Sequence, residues 1–521
     1  MKPFDKHGAF CPPVTGIQLL AIRGAGITVF SGGLGIGIQM LATMILARLL
    51  TPADFGLVTM VTTFSLLLVN FGLNGFTEAV IQREDLDHRL ASNLFWISIG
   101  TGLVLTIGFA AAGSVLARFY HDPLVAHVAV GISPTILVTS AQVLHLALLK
   151  RAMRFSQVSA NDLISRTLSV AISIILAWKG FGYWSLVIGT VAQPLTTLVG
   201  SWWLCRWIPG LPSQVQGTSA AVRFAMHVYA CFGLNYFCRN TDNILVGWRF
   251  NAQPLGFYKK AYDLFALPSG LLVSSLTVVA VAGLSRLKVD RVQYQRYLLR
   301  ALSAVAFVGM GLGGELTLVG KYVIQMLLGS GWEPAGRIFT FFGPGIGVML
   351  LYGTTDWIHL SLGRADRWFR WSLIEYAVTV SLFVLGLHWG PVGVAMAWTA
   401  SFWLLTIPAF SYAGKPVELE ISSVIHAVWK YVLASLLAAV SSAVVISHIP
   451  SLASVSTMPA VLLQIALISM VFGSLYITCV VLLHEGLSPL QEHARLLRQM
   501  IPWSRISTYS QTVPASAPTQ T

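Results

Sequence analysis

Long apolar stretches, separated by short polar segments, recur along the whole chain. A helix needs about 20 mostly apolar residues to cross the hydrocarbon core of a bilayer. Fourteen stretches have that length, so the pattern predicts an all-α polytopic membrane protein with about fourteen transmembrane helices. The predicted spans cover residues 24–47, 55–80, 92–116, 124–149, 158–178, 183–205, 224–247, 262–284, 300–326, 337–360, 368–388, 391–412, 425–447 and 459–483.

The composition supports a membrane protein. The chain has 521 residues, of which 55% are hydrophobic and only 10% are charged, against about 25% charged in a typical soluble chain. The start of the chain lacks the features of a cleaved secretory signal, so we expect the first apolar stretch to remain as a span. The cysteines are scattered and form no close pair, which favours small buried side chains over a zinc or redox site.

The positions of Lys and Arg indicate an orientation. With the N-terminus inside, 23 of these 33 residues fall on the cytoplasmic face and eight on the other. An excess of Lys and Arg marks cytoplasmic loops, so we expect a multi-pass protein of the bacterial inner membrane with both termini in the cytoplasm. The net charge of +13 is spread over many loops, which argues against a nucleic-acid partner.

An internal repeat relates the two halves of the chain. Residues 45–56, after span one, resemble residues 244–256, after span seven, and place Gly56 and Gly256 200 positions apart. Two further echoes agree with this match, one between 81–83 and 284–286 and one between 180–182 and 390–393. Six spans separate each pair, and six is even, so the halves should share one orientation, as in parallel-repeat transporters.

The repeat suggests a division of the chain into four parts. We expect an N-terminal lobe at residues 1–215 with spans one to six and a C-terminal lobe at 216–415 with spans seven to twelve. Two more spans follow at 416–485, and then a cytoplasmic tail at 486–521 that is partly disordered. Residues 490–500 could form a surface helix or a solvated one, and the longest connections are expected at 247–261 and 286–300.

Polar side chains inside spans two and seven form stripes on one helix face each. Such groups are costly in lipid and usually face a cavity or bind helices together. The stripes consist of Asn70, Asn74 and Glu78 in span two and of Asn235, Arg239, Asp242 and Asn243 in span seven. Elsewhere, Asp162 and Arg166 lie four residues apart and can pair, while Asp356, His359, Glu375 and Glu315 have no partner that the sequence singles out.

Span one contains the glycines Gly33 and Gly37 at a spacing typical of close helix packing. The same glycines could instead allow the helix to bend during gating, and both interpretations stay open. Nucleotide-binding and catalytic motifs are missing, so we expect neither an enzyme nor a cofactor. Energy would then come from a gradient or from the substrate itself, and coupling to H⁺ or Na⁺ stays open.

Several segments together carry a family resemblance. Examples are Ala-Arg-Leu-Leu-Thr-Pro-Ala-Asp-Phe-Gly-Leu at 47–57 and Leu-Gly-Phe-Tyr-Lys-Lys-Ala-Tyr at 255–262. With the segments at 151–155, 180–187, 239–243, 283–287 and 331–335, the chain resembles Wzx-type exopolysaccharide flippases. These form the polysaccharide-transporter branch of the multidrug/oligosaccharidyl-lipid/polysaccharide exporter superfamily, and the resemblance covers residues from about 20 to 480.

The resemblance implies a fold, a substrate and partners. It implies a MATE-like fold of two six-helix lobes in parallel repeat, plus two C-terminal helices, around a cationic cavity. It also implies an undecaprenyl-pyrophosphate-linked oligosaccharide as substrate, membrane lipids as surroundings, and polysaccharide polymerase and export proteins as partners. Arginine suits a pyrophosphate because its planar fork pairs with phosphate oxygens, so Arg239 is the first candidate and Arg166, Arg48 and Arg23 follow.

Two other function classes compete with this prediction. A multidrug or metabolite exporter of the same superfamily would share the architecture and would favour acidic cavity groups such as Glu78 and Glu375. A membrane-embedded polysaccharide polymerase or ligase would be expected to use a substantial loop on the outer face, which the short predicted connections do not supply.

Overall fold

The fold is known from a computed structural model, which describes residues 17–82, 86–213, 218–448, 458–487, 490, 491 and five positions before residue 11. Some helix side chains, including those of Asn74, Glu78 and Asn235, lie outside this description. So do most of the predicted surface helix at 490–500 and the tail to residue 521.

The described residues form fifteen α-helices and no β-strand. The helices are α1 Ile17–Leu49, α2 Pro52–Gln82, α3 His88–Tyr120, α4 Leu124–Ile132, α5 Pro134–Arg151, α6 Phe155–Trp178, α7 Tyr183–Cys205, α8 Thr218–Phe250, α9 Ala252–Leu287, α10 Arg291–Leu328, α11 Glu333–Ser361, α12 Ala365–Gly386, α13 Gly390–Gly414, α14 Ile421–Ser447 and α15 Met458–Leu483.

Every predicted span coincides with helix. The fourth is divided into α4 and α5 at Ser133, because Pro134 has no N–H to continue the hydrogen-bond ladder. Ten helical segments of the described residues have the length and apolar composition to cross a bilayer, and one of these runs through both α12 and α13. The ten do not include α7, α8 or α9. The chain is therefore a polytopic helical membrane protein, but its length and composition do not establish the predicted number of fourteen spans.

The prediction of two long connections is wrong. Only Asn251, with a φ of 67°, separates α8 from α9, and the residues between α9 and α10 are 288–290. Pro254 and two adjacent lysines made the start of α9 look like a loop. A proline is tolerated in the first turn of a helix because the N–H groups there have no partner within the helix.

Helix packing repeats between the two halves of the chain. In the first half α2 packs on α5, α5 on α7, and α6 on α7. In the second half the contacts are α9 on α11, α11 on α13, and α12 on α13. The last two helices, α14 and α15, pack on each other and on α10. Each half therefore has its own set of packed helices, which meet chiefly where α2 contacts α8 and α9.

The contact between α2 and α9 is reciprocal. A Cβ atom at Gly56 would overlap the carbonyl oxygen of Ala252, and a Cβ atom at Gly256 would overlap that of Pro52. Gly56 therefore lies against Ala252, four positions before Gly256, and Gly256 lies against Pro52, four positions before Gly56. We call the end of the bundle where α1 and α8 end and α2 and α9 begin the crossing end.

Aromatic side chains seal the crossing end on both sides of the two glycines. The Trp332 indole donates a hydrogen bond to the carbonyl oxygen of Ala47 at 2.9 Å, and its ring contacts those of Phe55 and Phe257 edge-on. On the other side, Tyr120 lies so close to Gly247 that a Cβ atom there would be 2.9 Å from its ring. Trp332 and Tyr120 are buried, and the residues that they contact, Ala47 and Gly247, are again 200 positions apart.

We expect Gly56→Ala to destabilise the protein by about 1–3 kcal/mol, because the added methyl group must push α2 away from the backbone of α9. Thermal unfolding of the purified protein in detergent would measure the change. Gly37→Ala is the matched control, since a Cβ atom there would meet nothing within 4 Å and the helix gains the propensity of alanine. Equal unfolding midpoints for the two variants would contradict the close crossing.

Candidate functional site

Arg239 is an exposed cation in the interior of α8, eleven residues before the helix ends at the crossing end. At 1.5 Å per residue this places it about 16 Å from that end, well within the thickness of a bilayer. No carboxylate of the described residues lies within ion-pair distance of its guanidinium. A charge in such a position marks a candidate binding site.

Two carboxylates of the second half act on Arg239 through space. Asp356 of α11 and Glu375 of α12 both lie in the electrostatic field of its guanidinium. Glu375 lies beside the hydroxyl of Tyr352, which accepts a hydrogen bond of 2.8 Å from the Trp371 indole. The sequence had singled out both acids without a partner, and the fold places them near enough to Arg239 for its charge to act on them.

Asp242, one turn from Arg239, connects α8 to α9. The carboxylate of this buried residue accepts a hydrogen bond of 2.8 Å from the Tyr258 hydroxyl and one from the backbone N–H of Asn243. Asn243 is also buried, and its side-chain oxygen has no hydrogen-bond partner among the described residues. Both side chains are therefore buried, in contrast to the exposed Arg239.

Sequence reasoning missed two lysines and an aspartate at the start of α9. Lys259 donates a hydrogen bond to Asp263 at 2.6 Å, and the ammonium of Lys260 lies 4.2 Å from the centre of the Phe55 ring. The i,i+4 spacing of Lys259 and Asp263 was the available signal, since it places opposite charges on one helix face. The interpretation of this segment as a loop concealed it.

In the first half, Asp162 and Arg166 form the ion pair that their spacing suggested, with 2.8 Å between oxygen and nitrogen. Gly35 of α1 lies against the Arg166 side chain, so the pair belongs to the packing of α1 on α6. Both side chains are more than a third exposed.

The two arginines of α1 are not brought together. Arg48 lies at the crossing end and donates a hydrogen bond of 3.1 Å to the carbonyl oxygen of Met326 on α10. Arg23 is exposed near the other end of α1, about 37 Å away at the helical rise. A single small anion therefore contacts at most one of them in this conformation.

The remaining predicted residues have mixed outcomes. Asn70 donates a hydrogen bond to the carbonyl oxygen of Leu66 in its own helix, whereas the side chains of Asn74, Glu78 and Asn235 lie outside the described residues. A Cβ atom at Gly33 or Gly37 would meet nothing within 4 Å, so close packing at these glycines finds no support in this conformation. Their role in gating stays a prediction. The described residues contain no cluster of three or more potential metal ligands.

Comparison with solved structures identifies the fold. The chain is similar to the lipid II flippase MurJ in its inward closed conformation, with a TM-score of 0.68 and 15% identity over 87% of this chain and 98% of that one. It is also similar to an inward-facing MATE family multidrug transporter, with a TM-score of 0.59 and 12% identity over 74% and 94% of the two chains.

Sequence comparison identifies relatives. The succinoglycan biosynthesis transport protein ExoT of Rhizobium meliloti is 22% identical over 75% of this chain and 79% of its own length. The lipopolysaccharide biosynthesis protein WzxC of Escherichia coli is 19% identical over 76% of this chain and 81% of its own. A family model described as "Polysaccharide biosynthesis protein" matches residues 45–337, which is more than half of the chain. The chain belongs to this polysaccharide biosynthesis family, and its fold is similar to those of MurJ and the MATE transporter.

Proposed function

We propose that this protein is a flippase that moves an undecaprenyl-pyrophosphate-linked oligosaccharide from the cytoplasmic to the outer leaflet of the bacterial inner membrane. The product would feed exopolysaccharide or O-antigen biosynthesis through a polysaccharide polymerase and export proteins. The observation that carries this proposal is Arg239, an exposed arginine without an ion-pair partner among the described residues, in the helix that contains predicted span seven of a member of this family.

A lipid-linked pyrophosphate presents a specific physical problem to the protein. Its negative charge must leave water and cross a medium of low dielectric constant, so it needs fixed positive charge along the way. A guanidinium suits this purpose because it is always protonated and pairs with two phosphate oxygens at once. Asp242, by contrast, is engaged with Tyr258, so it serves to hold α8 against α9.

We propose that residues 1–215 and 216–415 form two six-helix lobes, followed by two further spans at 416–485. The reciprocal contact of Gly56 and Gly256 and the repeated packing of helices support lobes related by an axis along the membrane normal. Rocking of the lobes would alternately open each side of the cavity. In the present conformation the crossing end, which the distribution of Lys and Arg assigns to the outer face, is sealed.

Asp356 and Glu375 favour coupling to H⁺ or Na⁺, because two carboxylates near one arginine can exchange a bound cation for an interaction with the arginine. The same observation supports a second candidate, a cation-coupled multidrug or metabolite exporter. The family match favours a polysaccharide precursor over a drug, and the similarity to ExoT, which is named a transport protein, favours a transporter over a polymerase or ligase.

The test of the proposed function is an analysis of lipid-linked sugars in a strain that lacks this protein. We expect a pyrophosphate-linked oligosaccharide to accumulate and to resist an impermeant glycan label in spheroplasts, since it stays in the cytoplasmic leaflet. If polymer export is normal and the strain becomes sensitive to amphiphilic cations, the multidrug exporter is favoured over the flippase.

We expect Arg239→Ala to reduce polymer export about ten- to hundredfold, which corresponds to the loss of a charged hydrogen bond. Arg239→Lys should retain part of the activity because it keeps the charge and loses the fork. Export is measured in the complemented deletion strain at matched protein level. Arg370→Ala removes one exposed arginine of the predicted cytoplasmic face and should have no effect. Full export with Arg239→Ala would exclude this residue from the site.

We expect a reporter fused at residue 1 and one fused at residue 521 to lie in the cytoplasm, because an even number of spans returns the chain to its starting side. Alkaline phosphatase and green fluorescent protein, active on opposite sides of the inner membrane, provide the paired readout. Reporters on opposite sides would refute the fourteen-span topology.

A further inference from the structure

The connection between the two halves of the chain contains irregular backbone. Residues 206–213, which follow α7 and lead to α8, lie in neither helix nor strand, and we call them the linker. Two of them, Pro209 and Pro212, have no backbone N–H group. The other backbone groups of such a segment need hydrogen-bond partners outside regular secondary structure, either from water or from the protein.

Side chains of α3 supply several of these partners. The Ser92 hydroxyl accepts a hydrogen bond of 2.9 Å from the backbone N–H of Gly210, and the Trp96 indole donates one of 2.8 Å to the Gly210 carbonyl oxygen. The Asn93 side chain binds Ser213 twice, since it donates to the carbonyl oxygen at 2.6 Å and accepts from the backbone N–H at 2.9 Å. The linker is therefore fixed to the first half of the chain.

Two histidines extend this set of contacts. The Nε2 atom of His88, at the start of α3, lies 3.3 Å from the carbonyl oxygen of Ile208. The Nε2 atom of His145, in α5, lies 3.1 Å from the carbonyl oxygen of Trp207. In both pairs the ring nitrogen is the donor, because a carbonyl oxygen only accepts. With the contacts from Trp96 and Asn93, four carbonyl groups of the linker have a side-chain partner.

The position of these contacts along α3 indicates the depth of the linker. Ser92 and Asn93 have short side chains, so the linker residues they bind lie about 6 and 7.5 Å along α3 from its start at His88. The 33 residues of α3 have the composition of a span and measure about 50 Å, slightly more than a bilayer with its headgroups. Lys and Arg assign the start of α3 to the cytoplasmic face. The linker thus lies level with the cytoplasmic headgroups.

Two aliphatic side chains of the linker are almost fully exposed. Ile208 exposes 80% of its surface and Leu211 exposes 85%, which is unfavourable in water. The exposed apolar surface continues along α7, where Leu195, Val199 and Trp203 lie four residues apart on one helix face. Because α7 contains predicted span six, this stripe is suited to contact with lipid, and it ends just before the linker.

The polar and aromatic residues around the linker are typical of a membrane interface. Trp96, which binds the linker, and Trp203, which precedes it, are both exposed, and tryptophan is enriched where acyl chains meet headgroups. Arg206, the first residue of the linker, is exposed, and the linker contains no acidic residue. An arginine at this depth can extend its guanidinium to the phosphate groups of lipids.

We propose that the linker is a lipid anchor, which inserts Ile208 and Leu211 among the acyl chains of the cytoplasmic leaflet while Arg206 stays at the phosphate groups. Irregular backbone is tolerated at membrane depth only where the protein satisfies its polar groups, and the side chains of α3 and α5 do so here. A loop in water would not need these partners, because water bonds to exposed backbone groups. The inference does not depend on which substrate the protein moves.

The test uses the full-length protein in liposomes of phosphatidylethanolamine and phosphatidylglycerol, in a background without the five native cysteines. A spin label is attached to a cysteine introduced at Leu211 or at Ile208. Power saturation in electron paramagnetic resonance then measures how often the label collides with oxygen, which concentrates among acyl chains, and with nickel ethylenediaminediacetate, which stays in water. A label at Met470, an exposed position of α15, is the lipid reference.

Val289 provides the matched control in water. It is also aliphatic and is 89% exposed, but it lies in the short turn between α9 and α10. These helices have 36 and 38 residues, or about 54 and 57 Å, so they carry the turn beyond the headgroups. We expect the ratio of oxygen to nickel collisions at Leu211 and Ile208 to exceed that at Val289 about fivefold or more and to approach that at Met470.

A second variant tests the role of the hydrogen bonds. Trp96→Phe keeps an aromatic ring but leaves the Gly210 carbonyl without its indole partner, which makes insertion of the linker unfavourable. The collision ratio at Leu211 should then fall towards the value at Val289. Trp403→Phe removes the comparable indole contact with the carbonyl oxygen of Pro344 in the second half and should leave the ratio unchanged.

Each outcome decides for or against the anchor. Labels at Leu211 and Ile208 that meet nickel as often as the label at Val289 would refute it, because the linker would then lie in water. Few collisions with either reagent would refute it as well, because another protein or a second copy would then cover the linker. If the Leu211→Cys protein does not fold, the label at Ile208 decides. An unchanged ratio in Trp96→Phe would refute the requirement for the hydrogen bond. None of these results bears on the proposed function.

Discussion

The backbone contact between Gly56 and Gly256 is the constraint on which the meeting of the two halves depends. Each glycine lies against a carbonyl group of the opposite helix, so α2 and α9 approach more closely than any residue with a side chain would allow. The close approach places Phe55 and Phe257 against Trp332, whose ring contacts both of them at the crossing end.

Some charged side chains near this crossing have a hydrogen-bond or ion-pair partner, and others have no ion pair among the described residues. Asp242 is held by Tyr258, and Asp263 is held by Lys259, so these acids stabilise the second half. Arg239 and Lys260 have no ion pair among the described residues. A protein that only needed to fold in a membrane would pair every charge, because unpaired charge in lipid is unfavourable. Arg239, which is exposed, is therefore the residue on which the proposed contact with an anionic substrate rests.

One of the two wrong predictions of a long connection concerns a segment close to the proposed site. The apolar runs located the helices well, yet the start of α9 looked like a loop because Pro254 and two lysines interrupt the hydrophobic pattern. A hydrophobic pattern identifies a span whose side chains contact lipid or the core. The start of α9 instead packs against α2 of the other half. The Asp162–Arg166 pair, by contrast, was predictable, because both partners lie on one helix at i,i+4 spacing.

The sequence by itself determined the helical membrane class, the approximate helix positions and the 200-residue repeat, because these follow from local apolar length and from similarity along the chain. It also placed Arg239 inside a helix. Only the tertiary structure decided that Asp242 is buried against Tyr258, that Asp356 and Glu375 share the field of Arg239, and that Lys260 lies over Phe55. These relations join residues on different helices, and the relative rotation and depth of two helices are set by packing, which no local pattern encodes.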